Sequence, residues 1–202
     1  MKIMKLKGRC QRKRNKYNSY RGEVGKVSPN RIQRKFYSDK PLKKCYTDIT
    51  EFHIAGKKVY LSAVLDGFNS EIISYELSLS PNLELVHRML DKLKEKSPEG
   101  MILHSDQGFQ YQHHSYQRKL KEMGITQSMS RKGNSLDNGL MENFFGILKR
   151  EMFYDYECLY SSTEELIQAI KKYIDYYNND RIKIKLNNLS PIEYRTQVMD
   201  MK

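Results

Sequence analysis

C-Y-T-D-I-T-E-F (residues 45–52), V-Y-L-S-A-V-L-D (59–66) and E-I-I-S-Y-E-L (71–77) follow one another with only short turns between them. Each is rich in β-branched and aromatic residues, and Gly56-Lys57 and Gly67-Phe68-Asn69-Ser70 supply the turns, so the pattern reads as an antiparallel meander. The middle run has almost no polar residue, which expects a strand buried on both faces. One residue is out of place: Asp48 sits inside the first run, where aspartate is normally depleted.

Downstream the period changes to that of helices. Leu83, Val86, Leu90 and Leu93 share one stripe, and Ser80-Pro81 opens it with proline expected at the first helical position. Met101 to Ser105 is a fourth strand and Ile125 to Met129 a fifth, separated by a helix from about His114 to Met123 that Gly124 stops. A polar loop, Ser130 to Ser135, leads to another helix. Ser162-Thr163-Glu164-Glu165 starts the next, with Leu166, Ile170, Tyr173 and Tyr177 in line, and Ser190-Pro191-Ile192-Glu193 starts the last. The order β-β-β-α-β-α-β-α-α-α predicts an α/β fold: a mixed five-stranded sheet flanked by helices.

Upstream, the chain is strongly basic. Of the 36 Lys/Arg in 202 residues, 16 fall in residues 1–44 beside only two acids, Glu23 and Asp39, so the net +12 comes wholly from this stretch. Arg12 and Arg14 lie in its densest cluster, and Tyr17, Tyr20, Phe36 and Tyr37 are interleaved. That combination points to phosphate-backbone contacts with DNA or RNA. We divide the chain into a basic arm, 1–42, and a core, 43–202, whose C-terminal helices occupy 161–202. Cys10, Cys45 and Cys158 are scattered without a C-x-x-C pair and read as reduced thiols. The longest apolar run, Val59 to Leu65, is too short to span a bilayer, and the first residues lack an apolar signal core. The expectation is a soluble intracellular protein with no membrane partner.

The stretch N-S-L-D-N-G-L-M-E-N-F-F-G-I-L-K (134–149) carries the second misplaced acid. At about 100° per residue, Glu142 shares its helix face with Asn138, Gly139, Gly146 and Lys149. Each glycine weakens a helix by roughly 1 kcal/mol relative to alanine, so two on one face leave room for something bulky. A third acid, Asp106, ends the fourth strand before Gln107-Gly108, where α/β proteins place functional groups. Three acids on separate elements could converge as oxygen ligands for Mg²⁺, an ion that also binds phosphate oxygens. Two such ions about 3.5–4 Å apart stabilise both oxygens of a phosphodiester displacement.

T-D-I-T-E-F, H-S-D-Q-G-F-Q-Y and N-S-L-D-N-G-L-M-E-N-F-F-G-I-L-K-R-E resemble the catalytic blocks of insertion-sequence transposases with a retroviral-integrase-type DDE core. The group they are most similar to is insertion sequence family three, in the product of its second reading frame. The family's three acids map to Asp48, Asp106 and Glu142, with 35 residues between the last two, and its basic residue seven places on maps to Lys149. Y-Y-N-N-D-R-I (176–182) and L-S-P-I-E-Y-R (189–195) are similar to its closing segment. The resemblance implies a ribonuclease-H-like fold, three antiparallel strands then two parallel ones. It implies two Mg²⁺ ions, replaceable by Mn²⁺, on Asp48, Asp106 and Glu142, activating water to nick the element's 3′ end and then that 3′-OH to attack target DNA. No covalent protein–DNA intermediate is implied. Lys149 and Asn138 would touch the terminal nucleotides, and Arg131 and Lys132 would hold the backbone. Terminal repeats and target DNA are the implied partners, with a homo-oligomer on DNA and an upstream-frame helix-turn-helix protein of which residues 1–42 keep a remnant. The implied place is the bacterial cytoplasm, at the nucleoid.

The chain departs from that pattern at Cys45 and Phe109, where tryptophans are usual, and at Gly139, where alanine is usual, which expects slightly looser packing. Full-length relatives are longer upstream. A truncated relic that only binds DNA, and a ribonuclease-H-like nuclease, are the alternative readings. Asp137 is expected as a helix N-cap, His104 as a core histidine, and His113-His114 as surface, since no cysteine pair completes a zinc site. Tyr173, Tyr176 and Tyr177 are expected to pack rather than stack on bases.

Overall fold

The computed structural model of the chain describes residues 25–200. Strands β1 (Lys44–Ile54), β2 (Lys57–Asp66) and β3 (Ile72–Ser78) form the meander. The β1–β2 hairpin turns on two residues with positive φ, Ala55 at 46° and Gly56 at 72°, with Ile54 paired to Lys57. Two left-handed residues in a two-residue loop match the natural twist of the flanking strands. Beyond helix α1 (Leu83–Lys94), strands β4 (Ile102–Ser105) and β5 (Thr126–Met129) add in parallel, giving the order β3-β2-β1-β4-β5. Helices α2 (Phe109–Gln112) and α3 (His114–Glu122) make the crossover, ended by Gly124 at φ 67°.

Alternation along the strands sorts the core into two layers. Tyr46, Phe52, Leu61, Ala63 and Leu65 face α4 (Gly139–Met152) and α5 (Thr163–Asn179), where Phe144, Leu148, Ile170 and Tyr177 meet them. Cys45, Val64 and Leu103 face α1 and α3, against Val86, Met89, Leu90, Tyr116 and Leu120. The edge strand β3 is covered by a side chain: Asn178 accepts from the Ile72 N–H and donates to the Ile72 carbonyl, both at 2.9 Å, which blunts an open sheet edge. Helix α6 (Pro191–Asp200) is tied to the turn after β2 through Arg195 and Glu71, 2.7 Å apart.

Several local expectations need correction. Helix α1 starts two residues later than Pro81 suggests, because Asn82 is its cap and accepts from the Leu85 N–H at 3.1 Å. Helix α2 is too short to leave a periodic signal. Asp137 is not a helix N-cap; it lies within a 3-10 turn, Ser135–Asn138, and Asn138 occupies the position before α4. Residues 28–32, within the stretch read as the arm, contact the core: Ile32 is buried in the α4–α5 layer, Ser28 Oγ donates to Gln127 (2.8 Å), and the Arg31 N–H donates to Ser128 Oγ (2.9 Å). Tyr173 and Tyr177 are buried as expected, while Tyr176 is exposed. Cys45 is a buried thiol and Cys158 an exposed one.

Candidate active site

Asp48 lies in the middle of β1, the central strand, opposite Ala63 of β2. Its place in the alternation puts it on the α4–α5 face with Tyr46 and Phe52. On its other side β1 pairs in parallel with β4, Tyr46 beside His104. Carrying that register two residues onward sets Asp48 beside Asp106, just past the last residue of β4. There the Gly108 N–H donates to Asp106 Oδ1 at 2.8 Å, a tight turn that fixes the carboxylate. A Cβ on Gly108 would stand 3.0 Å from that oxygen, so the glycine is what lets the backbone come so close.

Glu142 is in the first turn of α4, which lies along β1. Lys149, seven residues on, places its ammonium 5.1 Å from the Phe52 ring centre. Seven helical residues rise about 10.5 Å, close to the roughly 13 Å that four strand residues cover from Phe52 back to Asp48. Glu142 is thereby carried to the level of Asp48. Electrostatics agree: the Asp48 carboxyl is pushed well above the usual carboxylate range, by burial first, then by the charges of Asp106 and Glu142, against the Ile49 N–H and Lys149. Asp106 is raised by burial, with the Gly108 N–H opposing. Burial lowers Lys149, while Glu51 and Asp48 work to keep it protonated.

Three carboxylates thus share one field, with Lys149 the opposing cation at Asp48, and an excess of negative charge on hard oxygen donors suits divalent cations. Among the described residues, no three His, Cys, Asp or Glu side chains stand close enough to form a finished metal cage. The donor chemistry fits; the carboxylates are grouped but not drawn in. Beside them the helix surface is open, since a Cβ on Gly139 or Gly146 would meet nothing within 4 Å.

Comparison with known proteins points the same way. The sequence pattern described as "Integrase core domain" matches residues 38–135, and a second pattern of the same description matches residues 142–199. The chain is 52% identical over 199 residues to the putative transposase InsK for insertion sequence element IS150 of Escherichia coli K12, covering 98% of this chain and 69% of that one. It is 50% identical over 204 residues to a transposase-like protein of Haemophilus influenzae, covering 99% and 91%. The chain belongs to the insertion-sequence transposases with an integrase-type core. The HTLV-2 integrase catalytic core domain, in a structure with magnesium, superposes with a TM-score of 0.63 at 16% identity over 78% of this chain and 98% of that one. A chain of the simian T-cell lymphotropic virus intasome gives 0.66 at 16% identity over 79% and 55%. The fold of the transposase is therefore that of ribonuclease-H-like integrase cores.

Other expected site residues of the transposase are placed less simply. Asn138 is 3% exposed, and its amide donates to the Thr47 carbonyl at 3.2 Å. It braces the site from within, held against β1 at the end of the 3-10 turn that precedes α4. Arg131 is exposed but engaged with Asp137, and Lys132 is exposed beside it. Arg12 and Arg14 lie outside the described residues. His104 is a core histidine, bonded to Ser128 Oγ (2.8 Å) and Ser130 Oγ (3.1 Å). His113 caps α3, accepting from the Ser115 N–H at 3.2 Å. Two residues carry no signal in the sequence. Tyr111 is buried close enough to Asp48 and Asp106 for their charges, after burial, to raise its hydroxyl. Asp137, read from the sequence as a cap, is instead a buried carboxylate bonded to Arg131 and Arg34.

Proposed function

We propose that this transposase core cuts DNA at the ends of its element and joins the freed 3′ ends to target DNA, using divalent cations held by Asp48, Asp106 and Glu142. The observation that supports this is that the buried Asp48 carboxyl, on the central strand, is raised further by the charges of Asp106, at a strand end, and Glu142, on a helix. Bound there, a pair of Mg²⁺ ions, or Mn²⁺ in their place, would supply Lewis acidity to the attacking and leaving oxygens of one phosphodiester. The chain's own part is positioning. The β1–β4 register holds two acids side by side, the Gly108 N–H aims Asp106, and Lys149 meets the phosphate of the terminal nucleotide. The open flank at Gly139 and Gly146 admits the strand. No side chain needs to form a covalent bond to DNA.

Residues 1–42, with Arg12 and Arg14, act as a basic arm on the DNA backbone, joined by Arg131 and Lys132; 43–202 is the catalytic core. Two ends are paired by a homo-oligomer, and an upstream-frame helix-turn-helix protein reads the terminal repeats. The chain's place of work is the bacterial nucleoid, where the DNA lies; among the described residues no helix is long and apolar enough to cross a membrane. Incubating the chain with element-end DNA and Mg²⁺ tests the reading. We expect nicking and joining, both lost in Asp106→Asn. Cleavage of an RNA–DNA hybrid without joining would instead identify a nuclease, and retention on DNA without chemistry a relic.

A further inference from the structure

Asp137 is a buried carboxylate, its side chain 0% exposed, in the loop that feeds α4. Both oxygens are fully engaged. Arg131 Nε and Nη2 donate to the two of them at 2.9 Å, and the Arg131 N–H adds a bond of 3.1 Å. Arg34 Nε donates to Oδ1 at 3.0 Å and Asn30 Nδ2 to Oδ2 at 3.1 Å. Arg131 above all holds this carboxyl far below the usual range, so it is ionised at any working pH.

The partner from the arm is brought in at a cost. Gln33 and Arg34 both adopt left-handed backbone, φ 49° and 62°, a conformation that costs non-glycine residues roughly 1 kcal/mol or more each. Two anchors maintain it: Ile32 is buried in the core, and Asn30 Oδ1 accepts from the Ile32 and Gln33 N–H groups at 3.0 and 2.8 Å. Strain kept at one spot by two anchors aims Arg34 at Asp137. The ion pair itself is a weak reason for such an arrangement, since half of it faces water.

The guanidiniums are not used up. A guanidinium has five N–H donors in a fixed fork, and the Arg34 and Arg131 side chains remain 47% and 58% exposed. One carboxylate therefore sets two forks side by side, each with N–H donors left over after Asp137 and, for Arg34 Nη2, Asn134 Oδ1 at 3.3 Å, a local net charge of +1, with exposed Lys132 adjoining. The next residue, Asn138, is tied to Thr47, the neighbour of Asp48. We infer that Asp137 is a positioning residue that presets Arg34 and Arg131 as a paired grip for one DNA phosphate, built jointly by the arm and the loop leading to Glu142. This rests on DNA being the substrate, and it adds a contact, Arg34, and an orienting carboxylate that the joining chemistry does not itself require.

Simple charge counting and this grip predict opposite signs for one substitution. Asp137→Asn removes a negative charge, so bulk electrostatics alone would tighten DNA binding; loss of the preset forks weakens it. The test titrates the full chain with a generic fluorescent DNA duplex, without metal, between about 50 and 200 mM KCl. We expect Arg34→Gln and Arg131→Gln each to make the slope of log affinity against log salt shallower by about one. Lys94→Gln, on α1, keeps the parental slope. Asp137→Asn binds more weakly than the parent at every salt concentration while its near-ultraviolet circular dichroism stays parental. Parental slopes in both arginine variants, or a folded Asp137→Asn that binds as tightly as the parent or tighter, overturns the grip. If Asp137→Asn does not fold, the exposed Arg34→Gln decides alone. Joining by the parent is scored separately: joining with unchanged arginine slopes sinks the grip and spares the proposed function, and the reverse outcome sinks only the function.

Discussion

The side-chain amide of Asn138 donates to the main-chain carbonyl of Thr47 across 91 positions of sequence. One of these residues precedes Asp48 and the other ends the turn that launches α4, so the bond joins the strand acid to the helix that bears Glu142. Asp48 is fixed by the strand ladder and Asp106 by the tight turn just past β4. The third depends on side chains such as this one for its place.

Replacing Asn138 with alanine should therefore cost about 1–3 kcal/mol in urea unfolding, the usual penalty for a lost buried hydrogen bond. Joining should fall by more than DNA affinity does. Equal losses in both would mean that the bond supports only the fold.

Neutral isosteres of the acids should separate stability from activity. Because the folded-state pKa of Asp48 is raised, its ionised form is disfavoured by folding at neutral pH. Asp48→Asn is expected to melt at a higher temperature than the parent in chelator, yet to join DNA at least on the order of 10²-fold more slowly. A variant that melts lower would refute the crowding of charge.

Metal should act on the same balance. Mg²⁺ that binds only the folded chain raises its melting temperature in proportion to log concentration, and neutralises the repulsion between Asp48, Asp106 and Glu142. We expect a magnesium-dependent rise for the parent and none for Asp106→Asn, read by differential scanning fluorimetry.

His104 predicts a pH dependence. Burial lowers its folded-state pKa to about 4 from 6.5, and the ring is 0% exposed between two serine hydroxyls. The unfolded chain thus takes up the proton first as pH falls, and stability present above pH 6.5 is lost towards pH 4, by on the order of 3 kcal/mol. The raised carboxylates act in the opposite direction, so the comparison is with His104→Gln, whose stability curve should be flatter by that amount across the interval.

Gly146 offers a test of the open flank. A methyl group there meets no atom within 4 Å, so Gly146→Ala should stabilise α4 by roughly 0.5–1 kcal/mol. Gly146→Phe should keep the fold and block joining. A fully active phenylalanine variant would show that DNA passes elsewhere.

Much of this architecture is legible in the sequence because its signals are local. The β-branched runs at 45–77, Gly124 behind α3, and Ser162 and Ser190 as helix caps each act within a few residues. Asp48 and Asp106 stand out because aspartate is anomalous where they lie. What is not legible depends on distance. Nothing near Asp137 announces that its partners include Arg34, 103 positions away, and a caps-and-periods reading makes it an N-cap instead. Asn138 shares a helical face with Glu142 on an ideal wheel, but the turn at 135–138 is 3-10, so its phase differs. Helix α2 is a single turn, below the length at which periodicity exists.

The hairpin at Ala55-Gly56 has a bearing on how such elements die. It counts out the ladder that pairs Asp48 with Ala63, and a strand shifted by one residue turns every side chain to the opposite layer. A single codon gained or lost in this remote bend that slipped β1 by one residue would turn Asp48 towards α1 and α3 together with Tyr46 and Phe52. If Asp48 holds metal as proposed, such a copy would keep all three acids in its gene and still lose joining, so counting intact motifs in a genome would overstate the number of elements able to move.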